Sequence, residues 1–149
     1  MQAEIRTMSL RDYPEVRALW ERSPGIGLNE SDAREAVAAF LERNRDLSVV
    51  AVAEGTLVGA VLCGHDGRRG YLHHLAVAES HRGRGIARAL LARCVRGLAE
   101  LGIAKCNVFL FADNAEGAAF WQHNGWTPRR DLRVFQRPLS SWGAELPAA

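Results

Sequence analysis

Apolar and polar residues trade places along this chain in two rhythms, a helical one at each end and an alternating one in the middle. Residues 3–8 read as a short strand. Ser9 then stands three residues before Asp12, a capping-box-like start, and Tyr13, Val16, Leu19 and Trp20 share one side of a helix predicted over 10–22. The run Ser23-Pro-Gly-Ile-Gly27 ends it with three breakers. A second helix is predicted from Ser31 and Asp32 to about Arg45, with Val37, Ala38, Phe40 and Leu41 on its apolar side. Val-rich residues 47–53, the turn at Glu54-Gly55, residues 56–63, a second turn over 65–70 and residues 71–77 make an antiparallel meander. The pattern then returns to helical spacing over 85–101, through Ile86, Leu90, Cys94, Leu98 and Leu101, with Gly102 as the stop. A strand over 105–111, a helix over 115–124 closed by Gly125, and a last strand over 132–137 complete the reading. A meander followed by strand–helix–strand predicts an α/β (mixed α+β) fold, its central sheet mixed but mostly antiparallel, with helices on both faces.

The 149 residues hold no repeat, low-complexity tract or linker, so one domain is expected over 1–149, with a core at about 3–138 and a short C-terminal tail at 139–149. Hydrophobic residues at 48% and charged residues at 24% exclude a disordered chain. A net charge of +2 predicts neither a nucleic-acid nor a membrane-surface partner. The longest apolar run, 56–63, falls short of the roughly 18 residues that span a bilayer, and the first residues carry no basic-then-apolar leader. Cys63, Cys94 and Cys106 form no CxxC pair, which predicts neither a disulfide framework nor a zinc knuckle and fits a reduced, cytoplasmic setting.

The stretch from Leu75 to Leu91 changes the picture. Gly83 and Gly85 sit where a strand gives way to a helix, and Arg82, Arg84 and Arg88 surround them. Glycines at a helix mouth let the backbone approach a ligand, and the free amides there attract anions, so the segment suits a phosphate or pyrophosphate. A plain Arg-rich strand-to-helix turn is the bland alternative. The chain has no GxxxxGK[ST]. A GxGxxG reading from Gly83 meets Arg88 at the third glycine, and 102–105 lacks the acidic residue it requires. The remaining pattern is Arg82-Gly-Arg-Gly85-Ile-Ala87.

That pattern resembles the coenzyme A pyrophosphate loop of the GNAT superfamily of N-acyltransferases, usually Gln/Arg-x-x-Gly-x-Gly/Ala. Leu75-Ala-Val77 resembles the strand end on which the family lays the pantetheine arm. The run Asp113-Asn114-Ala-Glu-Gly-Ala-Ala-Phe120-Trp121-Gln-His-Asn-Gly125-Trp126 is similar to its second signature, and the likeness covers about 3–138. It implies a single-domain acyl-CoA N-acyltransferase fold and acetyl-CoA as co-substrate without a metal. The implied reaction is acetyl transfer to a primary amine of a small molecule, peptide or protein by direct attack; a homodimer is a family-level expectation. It also implies cofactor contacts at Leu75, Ala76, Val77, Arg82, Gly83, Arg84, Gly85, Ile86, Ala87, Arg88, Asn114 and Trp121.

Two positions depart from the family pattern. Seven residues after Asn114, where many members carry a proton-donating Tyr, stands Trp121; five residues before it, where some carry a Glu base, stands Phe109. An indole N–H donates a hydrogen bond but gives up no proton near neutral pH. Acyl transfer still needs a neutral amine and a donor beside the thioester oxygen, which a splayed strand end at Leu75–Val77 can supply from its backbone. His73 and His74 are adjacent, and strict alternation puts His73 on the face of Leu75 and Val77, making it the candidate base, with His74 on the opposite face; the plainer alternative for both is a sheet histidine packed by its ring. Glu30, Asp32 and Glu35, near the 23–29 stretch, either line an acceptor pocket or form an ordinary solvated helix start, and the second is the reading taken; Asn114 also suits a helix N-cap. His65, Asp66, His73, His74 and His81 have no metal-ligand spacing. Residues 23–30 and the turn at 65–69 are expected to border the acceptor pocket. The rival reading is a non-catalytic acyl-CoA-binding or regulatory domain, suggested by Trp121 and Phe109.

Overall fold

The computed structural model describes residues 2–139, and the tail expected over 139–149 lies outside the described residues from 140 onward. Strand β1, Glu4–Thr7, leads into a 3₁₀ turn, Leu10–Asp12, and helix α1, Tyr13–Glu21. Asp12 is the reason the chain turns here. Its carboxylate accepts hydrogen bonds from the Ser9 amide at 2.9 Å and from Nη1 and Nη2 of Arg6, each at 2.9 Å, fixing β1 to the helix start. The Arg6 hydrogen bonds hold the Asp12 carboxyl below the usual carboxylate range against the opposing effect of burial. Helix α1 thus begins three residues later than predicted, because its first turn is tightened to 3₁₀ geometry. A second 3₁₀ turn, Glu30–Asp32, likewise precedes helix α2, Arg34–Arg43.

Strands β2 (Val49–Ala53), β3 (Thr56–His65) and β4 (Gly70–Val77) form the meander, followed by helix α3 (Ile86–Glu100), strand β5 (Cys106–Val108) and helix α4 (Ala115–His123). The sheet runs β1-β2-β3-β4-β5, antiparallel except for the parallel β4–β5 pair, so the mixed, mostly antiparallel sheet is as expected. Helices cover both faces. A Cβ at Gly59 would meet Ile86 and Leu90 of α3, while one at Gly64, five residues along β3 and so on the other face, would meet Phe40 and Asn44 of α2 and its C-cap. With both faces covered, β2 and β3 are almost wholly buried and lose the polar alternation of an exposed sheet. Val16, Leu19 and Trp20 from α1 and Leu90, Leu91, Cys94 and Leu98 from α3 complete the core.

Two departures from the sequence reading shape the site. Between Ala60 and Leu62 of β3 the partner strand advances from Ala76 to His73, three steps against two, and His74 sits at φ +56°. That extra residue is a β-bulge, which breaks side-chain alternation across it. The second departure is at the sheet edge. β5 covers three residues instead of 105–111 and pairs with β4 only as far as Leu72, where the bulge begins. The strand expected over 132–137 is irregular chain, because so short a β5 offers it little edge to pair with. An Arg129–Asp131 ion pair and a hydrogen bond donated by the Leu132 amide to the Arg129 carbonyl mark a turn just before it.

Candidate active site

Where β5 stops, β4 continues alone, so on that side the backbone from His73 to Val77 has no strand partner. Beside it the chain passes a 3₁₀ turn, Glu79–His81, and enters α3 through Gly83 at φ +77° and Gly85 at φ +79°. Both values lie in the left-handed region open to glycine, and a Cβ at either position would project into empty space. No side chain caps α3, so its first-turn amides are left open to an anion, with the helix dipole behind them. Arg82 ties this loop to the strand end by donating from Nε to the Val77 carbonyl at 3.1 Å. Arg88 donates to Asn124 Oδ1 at 3.1 Å, linking α3 to the end of α4.

Strand end, helix mouth and α4 enclose a cleft of about 730 Å³. Of the sequence-predicted residues, Leu75, Ala76, Val77, Arg82, Gly83, Gly85, Ile86, Ala87, Arg88, Asn114 and Trp121 line it; Arg84 does not, standing exposed outside the lining. Asn114 caps α4, its Oδ1 accepting the Gly117 amide at 2.8 Å, while also facing the cleft. The Trp121 ring is held edge-on by Phe120 at 5.4 Å and Trp126 at 4.9 Å. The rim comes from Ser23, Pro24, Gly25 and Ile26. A Cβ at Gly25 would lie 2.9 Å from Asn114 Nδ2, and one at Gly27 would lie 2.6 Å from the Phe111 ring, so this loop crosses the mouth by close backbone approach. The turn at 65–69 is absent from the lining, because it lies at the opposite end of β4 from the glycines.

The histidine assignment is corrected here. The bulge sends both rings toward the α1–α2 side: His73 packs against Phe40 at 5.9 Å and Tyr71 at 6.4 Å, and His74 against Trp20 at 5.0 Å. It is His74 that lines the cleft, and His73 does not. Burial, and next the neighbouring His74, push the His73 imidazole below its ordinary pKa. His74 Nε2 lies 2.9 Å from Asp32 Oδ1, and Asp32 is buried at 3% exposure, contrary to its reading as a solvated helix start. Phe109 and Leu110 also line the cleft. Sequence reasoning missed Leu110, chose His73 over His74, and set aside the reading in which Asp32 borders an acceptor pocket. The His73-His74 doublet was visible, but not which ring faces inward.

The thiols stand apart from the cleft lining. A hydrogen bond with Cys94 and then burial raise the Cys63 pKa, and burial pushes the Cys106 thiol up to about 12. Ser23, at the rim, donates its hydroxyl to the Leu19 carbonyl at 2.6 Å. Among the described residues no three His, Cys, Asp or Glu side chains gather as a metal site, and no helix is long and apolar enough to cross a membrane.

The profile of the Acetyltransferase (GNAT) family matches residues 13–126. An acetyltransferase of Sodalis glossinidius (strain morsitans) is 37% identical over 111 residues, 74% of this chain and 78% of that protein. One from Photorhabdus laumondii is 37% identical over 115 residues, 74% of this chain and 77% of that protein. The crystal structure of a PaiA N-acetyltransferase from Thermoplasma acidophilum in complex with coenzyme A superposes with a TM-score of 0.74 at 22% identity, covering 84% of this chain and 89% of that one. A helix mouth built on two glycines beside a strand end open on one side, and a profile match across both elements, lead to one conclusion: the chain belongs to the GNAT acetyltransferase family.

Proposed function

We propose that the protein transfers the acetyl group of acetyl-CoA to a primary amine by direct attack. The observation that carries this reading is the meeting, in one cleft, of the open β4 edge at Leu75–Val77 and the uncapped N-terminus of α3. The first suits an amide-bearing pantetheine arm, which binds as a strand would; the second suits the pyrophosphate. Where the arm meets the bulge, backbone N–H groups are available to the thioester oxygen as it gains charge. Direct attack is favoured over an acyl-enzyme because a covalent route needs an activated nucleophile. The raised thiols of Cys63 and Cys106 lie outside the lining, and the Ser23 hydroxyl is engaged with a carbonyl.

Calorimetric titration with acetyl-CoA, followed by thiol release over a panel of alkylamines, arylalkylamines and peptides with free N-termini, tests the reading. Binding together with amine-dependent release is expected. Tight binding with no release from any amine would leave a non-catalytic acyl-CoA-binding domain.

A further inference from the structure

Phe109 and Trp121 line the cleft but offer no group that exchanges a proton near neutral pH, whereas His74, in the same lining, does. His74 is a non-glycine residue in the left-handed region, φ +56°, a conformation that persists only when its surroundings impose it. Three contacts impose it. Trp20 Nε1 donates to the His74 carbonyl at 3.2 Å, the Trp20 ring meets the imidazole edge-on at 5.0 Å, and Asp32 Oδ1 takes Nε2 at 2.9 Å.

Asp32 is itself fixed. Its Oδ2 accepts the Asn29 amide at 3.0 Å, and its carbonyl accepts the Tyr13 hydroxyl at 2.6 Å and Arg17 Nη1 at 3.1 Å. Oδ1 is therefore the oxygen left for the imidazole. A carboxylate accepts only, so Nε2 must carry the proton and Nδ1 the lone pair. The His74 side chain is 19% exposed and lines the cleft, while Asp32 at 4% is shut away behind it.

We propose that His74 is the base that takes a proton from the acceptor amine, and that Asp32 is a positioning residue that holds the imidazole with Nδ1 free. The proposal rests on the acetyl-transfer reading above. The ammonium of the acceptor gives one proton to His74 Nδ1, which passes it to solvent. The freed nitrogen lone pair attacks the acetyl carbonyl carbon, and the C–S bond then breaks with its electron pair leaving on sulfur. The second proton leaves the nitrogen of the adduct for that thiolate, giving the N-acetyl amine and free coenzyme A thiol. The charged or titratable groups near the ring are Asp32 from the 3₁₀ turn, Tyr13 and Arg17 of α1 behind Asp32, and His73 next to it on β4, with His81, Arg82, Arg88 and Glu116 elsewhere around the cleft.

The test uses the whole chain, with His74→Gln, Asp32→Asn and His73→Ala beside the wild type, on whichever amine of the panel gives the fastest thiol release. His74→Gln is expected to lower kcat about 100-fold and to abolish the fall in rate at low pH that a base needing to be neutral imposes, with acetyl-CoA affinity within about twofold. Asp32→Asn is expected to lower kcat at least about tenfold with KM little changed, because an amide can offer Nε2 a donor and so favour the wrong tautomer. Long-range ¹H–¹⁵N spectra, with the His74 signals assigned by their loss in His74→Gln, read that tautomer directly. The wild type should carry its proton on Nε2, and Asp32→Asn should gain the Nδ1-protonated form. His73→Ala should keep the acid limb.

Failure of the two readings is separable. A wild type that binds acetyl-CoA and acetylates no amine overturns the transfer reading and the base with it. A wild type that acetylates, with His74→Gln as fast and with the same acid limb, overturns the base alone. An Nδ1-protonated His74 in the wild type also overturns the proposal, even if Asp32→Asn fails to fold.

Discussion

Gly85 is the residue on which the anion loop turns. At φ +79° any other L residue is strained by about 1–2 kcal/mol, and a side chain there would stand in the open space before the α3 amides. Gly85→Val is therefore expected to weaken acetyl-CoA binding more than about tenfold, a loss of about 1.4 kcal/mol or more, while the protein stays folded. Calorimetry beside a thermal melt checks both halves, and unchanged affinity would remove the loop from the cofactor site. Trp121 calls for the reverse logic. Held edge-on between Phe120 and Trp126, it is wall, so Trp121→Tyr should keep acetyl-CoA affinity and bring a phenol near the sulfur. A higher kcat is the expected outcome; a lower one with binding intact would mean that the indole itself positions the thioester.

At the scale of elements, the joint between β1 and α1 depends on one carboxylate. Asp12 accepts the Ser9 amide and the Arg6 guanidinium together, so Asp12→Ala should cost about 2 kcal/mol in urea unfolding. Its folded pKa lies below the unfolded one, so its contribution is present above about pH 3.9 and is lost as pH falls through the folded value. The stability gap between wild type and variant should accordingly close in acid. The bulge in β4 is the other decisive joint. By inserting one residue it ends pairing with β5 at Leu72, opens the cleft, and brings His74 to it.

For the whole molecule, His73 sets part of the response to acid. Its folded pKa is lowered by burial, so the unfolded chain binds the proton first, and stability should decline as pH drops below about 6.5 toward the folded value. His73→Phe keeps an aromatic ring beside Phe40 and Tyr71 and removes the titration. Melting temperatures measured from pH 7.5 to 5 should fall less steeply in that variant. Equal slopes would mean that other groups govern the acid response.

Local and periodic signals carried a long way in this chain. Apolar spacing specified the order of strands β1 to β5 and helices α1 to α4, since 3.6- and 2-residue periods reflect each element's own geometry. The loop Arg82-Gly-Arg-Gly85-Ile-Ala87 marked the helix mouth, because a left-handed backbone leaves its trace as glycine. What the sequence did not determine is what depends on partners distant in the chain. The bulge is written in no glycine: a histidine holds the positive φ because Trp20 and Asp32, 54 and 42 residues away, hold the histidine. A shift of one residue exchanges side-chain faces, so alternation alone selected His73. The same dependence explains the edge at 132–137, where Leu132, Val134 and Phe135 have the composition of a strand but only three residues of β5 to meet. It also explains Asp32, polar by composition yet buried, with partners as distant as Tyr13 and Arg17 of α1 and His74 of β4.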